Sequence, residues 1–148
     1  MVEALLYTCL FDRRPDYAGS FALDVAPGRS CSSTEWARAC LEDLPAALQW
    51  FVQIGWRAVL FLRLGPRRSP DRIAGWEVTE RADERTVLRA RSPLVDAELV
   101  FRVEATRVVW STAVVYRRRL AAVIWPPVSL LHRPIVRYAL RRTARRVR

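Results

Sequence analysis

The 148-residue chain contains no lysine, a single histidine and only three cysteines. A single histidine, His132, excludes a metal site built on several histidines and leaves one base for any relay with serine or cysteine. Cys9, Cys31 and Cys40 are odd in number and form no CxxC pair, which argues against a disulfide framework or a thiolate metal site. We find no catalytic or metal-binding signature, and we expect neither cofactor nor metal.

Signals for export and for membrane insertion are weak. Residues 1–16 carry Glu3 early and lack a basic start, unlike a signal peptide. The longest hydrophobic segment, residues 48–62, is interrupted by polar residues such as Gln49 and Arg57, and a charge at the bilayer centre costs ~2.5–3.5 kcal/mol. We therefore expect a soluble, cytoplasmic protein with reduced cysteines.

The net charge of +10 is concentrated at the carboxyl end. Residues 133–148 contain seven arginines and no acid, whereas the rest of the chain has 18 arginines against 15 acids. Because arginine serves as every cation here, coding bias is a better explanation of its frequency than contact with an acidic ligand. No nucleic-acid-binding motif accompanies the charge, and we expect no specific nucleic acid.

The first part of the chain is predicted to form one strand followed by two helices. Alternation over residues 17–25 predicts the strand. Ser32 and Glu35 form a reciprocal capping pair, which predicts a helix over residues 33–44. A second helix is predicted from Pro45, with an apolar stripe that reaches Leu62 and that we interpret as buried.

The next part is rich in β-branched and aromatic residues, with short polar breaks. We predict four strands, at about residues 72–80, 85–92, 95–105 and 107–118. Because the connections are short, the natural links are antiparallel hairpins. The expected arrangement is an antiparallel meander, which brings the predicted strands to five.

The last part returns to helical spacing after a break at Pro126-Pro127. A helix from about Val128 buries one face and presents a basic outer face, with a tail at residues 141–148 that we expect to be frayed. We treat residues 1–148 as a single domain with a poorly determined extension at residues 1–15. The outer face repeats an arginine every four residues: Arg133, Arg137, Arg141 and Arg145.

Strands and helices kept apart along the chain predict an α+β fold, in which a curved antiparallel sheet is covered by the terminal helix. This order resembles the helix-grip fold of the START and polyketide-cyclase-like (SRPBCC) superfamily. Residues 16–18, 75–78, 92–99 and Pro127 with His132-Arg133 are similar to an uncharacterised bacterial family allied to it. The resemblance implies a pocket for an apolar molecule between sheet and terminal helix, and it implies no reaction.

Four aromatic residues on predicted strands are candidates to line such a pocket, although they could equally fill the core. They are Trp76, Phe101, Trp110 and Tyr116. His132 either donates and accepts protons in the pocket or anchors the terminal helix to the sheet through one hydrogen bond.

Asp96 has two interpretations as well. On the wet face of its strand, Asp96 or Glu98 would form an ordinary ion pair with Arg91 across a hairpin. If Asp96 points inward, it becomes a candidate acid or base with a raised pKa.

Three hypotheses of function follow. The first is a binding domain for a small apolar molecule. The second is an enzyme of cyclase or isomerase type in the same pocket, with His132, Asp96 or Tyr116 as acid or base. The third is a basic module that docks on an anionic membrane or an acidic protein through the arginines of the terminal helix, which could instead be only a solvated face. The oligomeric state is left open.

Overall fold

The computed structural model describes residues 15–25, 32–65 and 68–146. Within these ranges the chain forms seven strands: β1 (Tyr17–Asp24), β2 (Arg68–Ser69), β3 (Arg72–Ile73), β4 (Trp76–Arg81), β5 (Arg85–Arg91), β6 (Val95–Val103) and β7 (Arg107–Tyr116). The helices are α1 (Ser33–Glu42), α2 (Ala46–Ile54), which continues into a π-helical turn at Gly55–Val59, and α3 (Ala121–Arg146). Except for Pro15, the predicted extension at residues 1–15 lies outside the described residues.

All seven strands form one curved antiparallel sheet in the order β1-β7-β6-β5-β4-β3-β2. The predicted meander is present from β4 to β7, and β1 joins it by pairing with β7, so that Phe21 lies opposite Trp110. The α1 and α3 helices contribute buried side chains to the core on one face of this sheet. The predicted α+β fold with a long carboxyl-terminal helix is therefore confirmed.

The strand predicted over residues 72–80 is in fact two strands, β3 and β4, joined by a tight turn. Ala74 and Gly75 both adopt positive φ angles, of 52° and 91°, which suit the twist of a two-residue hairpin loop. A Cβ atom on Gly75 would lie 2.9 Å from Leu64 Cβ, so the close approach also requires glycine. The turn places Trp76 at the start of β4.

The predicted capping pair is confirmed at the start of α1. Oγ of Ser32 accepts a hydrogen bond from the amide of Glu35 at 3.2 Å, and the Glu35 carboxylate accepts one from the amide of Ser32 at 3.0 Å. The next residue, Ser33, is fully buried, and its Oγ lies 2.7 Å from Oγ1 of Thr86 on β5. These bonds fix the start of α1 against the sheet, although the helix ends at Glu42 rather than at residue 44.

The prediction of one buried helix from Pro45 to Leu62 is wrong. The α-helix ends at Ile54, the π-helical turn follows, and Phe61 leaves the helix with a φ angle of 55°. No residue of α2 is buried. Periodicity identified the apolar stripe, but it could not show that this stripe faces a cavity.

The terminal helix is longer than predicted at both ends. It begins at Ala121 and continues through Pro126 and Pro127. These prolines lack the amides that would bond the carbonyls of Ala122 and Val123, four residues before them. All four residues are exposed, so water can satisfy these carbonyls. It also continues to Arg146 instead of fraying at residue 141.

Two contacts hold the end of α3 in place. Thr143 is buried, with Oγ1 lying 3.4 Å from Sγ of Cys40 on α1, and Arg142 donates a hydrogen bond to the carbonyl of Asp43. None of the described helices combines the length and the apolar character needed to cross a membrane.

Candidate ligand-binding cavity

A cavity of about 410 Å³ lies between the concave face of the sheet, α3 and the α2 segment, by which we mean α2 together with its π-helical turn, residues 46–59. Its floor comes from alternate residues of neighbouring strands, because side chains at positions two apart share one face of a strand. Ala97 and Leu99 of β6 lie beside Thr112 and Val114 of β7 on this floor. Ala97 has the smallest side chain of these four residues.

The cavity opens between α2 and α3. Several of its lining residues are also exposed, which marks the mouth: Trp50 is 70% exposed, and Phe51, Ile54 and Val59 of the α2 segment are 39–48% exposed. Leu131 of α3, 56% exposed, completes this border. We call these five residues the apolar rim.

Among the residues that the structure describes, no charged side chain lines the cavity. Apart from indole groups, the polar side chains on its wall are those of Thr112 and His132, which are hydrogen-bonded to each other at 3.2 Å between Oγ1 and Nε2. Burial, with a smaller contribution from the positive charge of Arg133, lowers the pKa of His132 to about 4. The imidazole is therefore neutral near pH 7.

Three tryptophans on the cavity wall carry unpaired donors. The indole nitrogens of Trp76, Trp110 and Trp125 are buried and have no hydrogen-bond partner among the residues that the structure describes. The ring centroid of His132 lies 6.3 Å from that of Trp110 and 5.9 Å from that of Trp125. The third, Trp76, packs edge-on against Trp56 at 5.4 Å.

The structure brings together half of the predicted site residues. Trp76, Trp110 and His132 line the cavity, whereas Phe101, Tyr116 and Asp96 do not belong to its wall. Phe101 is fully buried beside Trp110, with ring centroids 4.8 Å apart.

The other two candidates lie away from the cavity. Tyr116 is half-buried at the end of β7, where burial and then the charge of Asp16 raise the pKa of its phenol. Asp96 lies on the outer face of the sheet and accepts a hydrogen bond from Nη1 of Arg117 at 3.4 Å, so the inward orientation considered for it is not observed.

Trp125 is not among the predicted site residues, because the predicted break at Pro126 placed it outside the terminal helix. It lies on α3 and packs edge-on against Tyr17 of β1, with ring centroids 5.1 Å apart. The signal that could have found it is helical spacing, since Trp125 precedes His132 by seven residues, which is two turns.

The outer face of the sheet holds a buried carboxylate. Glu98 is 0% exposed, and its Oε2 accepts a hydrogen bond from Nε of Arg89 at 3.1 Å, so the cross-strand pair joins these two residues rather than Arg91 and Asp96. Its Oε1 has no partner within the described part of the chain. Burial raises the pKa of Glu98 to about 7, despite the opposing effect of Arg89.

The basic face of α3 is exposed to solvent. Arg133, Arg137, Arg141 and Arg145 are all exposed, and residues 121–146 contain no acid that would neutralise them. The guanidinium of Arg137 lies 5.2 Å from the ring centroid of Phe21, over the end of the sheet. Leu131 of the apolar rim and Arg133 lie on the same helix, but residues two apart point to different sides of it.

The resemblance to the SRPBCC superfamily, drawn from the order of the elements, and the narrower one, drawn from the short residue blocks quoted above, stay predictions. Comparisons of the chain with protein-family models, with curated proteins and with solved structures found no match.

Proposed function

We propose that this domain binds a small, neutral, apolar molecule in the cavity between its sheet and α3. The observation that carries the proposal is a volume of about 410 Å³ to whose wall the described part of the chain contributes no charged side chain. Protein interiors are close-packed, and an apolar cavity of about 150 Å³ is already large enough to bind benzene. A larger cavity with an open mouth suits a guest of drug-like or lipid-fragment size.

Binding would draw its free energy from apolar surface removed from water, at about 25 cal/mol per Å². The rigid aromatic wall limits the conformational cost of binding on the side of the protein. The apolar rim offers a route by which a hydrophobic guest reaches the cavity without crossing charged groups.

A fluorescent probe tests this function. Phenylnaphthylamine, a neutral apolar dye, should bind with enhanced emission to the wild-type protein. Ala97→Phe, which fills the floor of the cavity, should abolish binding, whereas Ala22→Phe, which adds the same ring at an exposed position of β1, should not. Equal binding by both variants, or no binding by the wild type, would contradict the proposal.

The geometry favours binding over a cyclase or isomerase reaction. Of the three acid–base candidates, only His132 lies on the cavity wall, and Asp96 and Tyr116 do not converge with it. General acid–base catalysis of an isomerisation requires groups within hydrogen-bonding reach of the same guest.

A second candidate function is docking of the cavity mouth on an anionic lipid membrane. Two observations favour it: the rim exposes large apolar side chains, among them Trp50 and Phe51, and α3, the helix that carries Leu131 of the rim, exposes arginines and contains no acid. Apolar residues next to basic ones are the combination that binds anionic lipid interfaces, and each basic residue adds about 1 kcal/mol near such a surface.

Vesicle flotation tests the docking. The protein should float with vesicles that contain phosphatidylglycerol and remain behind with pure phosphatidylcholine. Arg137→Gln combined with Arg141→Gln should weaken binding roughly thirty-fold, about five-fold for each arginine. Arg63→Gln combined with Arg91→Gln removes the same charge from exposed sites elsewhere and should have little effect. Equal loss in both double variants, or binding only to an acidic protein, would contradict membrane docking.

A further inference from the structure

A second recess lies on α3, outside the cavity. It is a groove of about 530 Å³, and its described lining consists of one proline, one tyrosine and four arginines: Pro134, Arg137, Tyr138, Arg141, Arg142 and Arg145. They form two rows along the helix in which successive residues are four apart, so they share one face of it. None of them belongs to the cavity wall. We call this recess the arginine groove.

Contacts with other elements hold two of the four guanidinium groups. The guanidinium of Arg137 lies 5.2 Å from the ring centroid of Phe21 on β1, which is a cation–π distance. Arg142 donates a hydrogen bond to the main-chain carbonyl of Asp43, the residue that follows α1. Both cations are therefore positioned before a ligand arrives, which reduces the conformational entropy that binding has to overcome.

The positive charge of the groove is not balanced by acids of the helix that forms it. Residues 121–146 contain no acid, and every charged residue of the described lining is an arginine. Arg137, Arg141 and Arg145 follow one another four residues apart, and like charges at this spacing repel each other on a helix. An anion bound between them would remove this repulsion. The groove therefore offers a site for an anion.

A phosphate group matches these cations better than a single carboxylate does. It carries a charge of about −1.5 to −2 at pH 7 and three acceptor oxygens. Planar guanidinium groups pair with such oxygens through two parallel hydrogen bonds. Arg137 and Arg145 are eight residues apart, which is about 12 Å along the helix, so a ligand with more than one phosphate group can lie in the groove.

We propose that the arginine groove binds the phosphate groups of a phosphorylated ligand, through the guanidinium groups of Arg137, Arg141, Arg142 and Arg145. This inference does not depend on a guest in the cavity. It also goes beyond membrane docking, because a phosphate group has two sources. One is a soluble phosphorylated molecule, and the other is the headgroup of a phospholipid.

Inorganic pyrophosphate is the probe for the soluble source. Isothermal titration calorimetry should show that it binds to the wild-type protein. Arg141→Gln combined with Arg145→Gln should weaken this binding at least about ten-fold, because each change removes charge-assisted hydrogen bonds to phosphate. Both side chains are exposed, so the double variant should fold like the wild type, and a thermal melt checks that it does.

Arg63→Gln combined with Arg91→Gln is the matched control, since it removes the same charge from exposed sites on other elements. At about 0.1 M salt, charges more than about 10 Å apart are largely screened, so this variant should retain the pyrophosphate affinity within about two-fold. Binding of phenylnaphthylamine by the wild type is a separate measurement. Failure of the groove and failure of the cavity are therefore distinguishable.

Vesicles that contain phosphatidic acid, whose headgroup is a phosphate monoester, identify the source. If pyrophosphate binds and releases the protein from these vesicles, both sources share the groove. Binding of pyrophosphate alone indicates a soluble ligand, and binding of vesicles alone, lost in the Arg141 and Arg145 double variant, indicates a phospholipid. Absence of binding to both probes in the wild type, or an equal loss in the two double variants, would overturn the inference.

Discussion

Nε2 of His132 lies 3.2 Å from Oγ1 of Thr112, and this hydrogen bond joins α3 to the strand that forms the cavity floor. His132, the only histidine, thus anchors the terminal helix to the sheet, and its ring also forms part of the cavity wall. Burial of the ring, with a smaller contribution from the charge of Arg133, accounts for its low pKa.

The histidine should make folding sensitive to acid. Its pKa is about 4 in the folded protein against 6.5 ordinarily, so below pH 6.5 the unfolded chain binds a proton that the folded protein does not. Stability should fall as the pH drops from 6.5 to 4, and His132→Gln should remove this contribution. Urea unfolding of both proteins at pH 7 and pH 5 measures this contribution. If the difference in free energy of unfolding between wild type and variant were the same at both pH values, the mechanism would be excluded.

Glu98 should change the stability with pH in the direction opposite to that of His132. Burial raises the pKa of Glu98 from 4.5 to about 7. Its contribution to the free energy of unfolding is therefore fully present below pH 4.5 and is lost as the pH rises through 7. Glu98→Gln should therefore gain stability relative to the wild type between pH 5 and pH 8. The same denaturant series measures this gain, and Glu77→Gln, at an exposed position of β4, is the control that should show little change.

Gly75 should tolerate no side chain. Gly75→Ala would place a Cβ atom at positive φ and 2.9 Å from Leu64 Cβ, and we expect a loss of about 1–3 kcal/mol in the free energy of unfolding. Gly55→Ala is the matched control, because Gly55 is helical and its added Cβ would meet no atom within 4 Å. That change should stabilise the protein by about 0.4–1 kcal/mol. Thermal or urea melts distinguish the two, and equal effects would contradict this account of the turn.

Local patterns predicted the elements that depend on local interactions. The capping pair of Ser32 and Glu35 and the alternation along β1 and β6 are properties of neighbouring residues, so they can be read without knowing the fold. The split at Ala74-Gly75 was missed because Ala rarely adopts positive φ and does not announce a turn.

The candidate site could be predicted only in part. Trp76, Trp110 and His132 were named from the strand pattern and the resemblance, and the structure places all three on one cavity wall. Phe101 points to the inner face of its strand but is covered by its neighbours. Alternation shows on which face of a strand a residue lies, and it does not show whether other side chains cover that residue.

The sequence by itself determined where most strands and helices form and which of their faces are apolar, because spacing, capping and alternation act over a few residues. Only the tertiary structure decided that Glu98 is buried, that α3 continues through its prolines and that space remains beneath α2. Each of these depends on how distant segments pack: a cavity is the volume left over between facing elements, and no single segment encodes the distance to its partner.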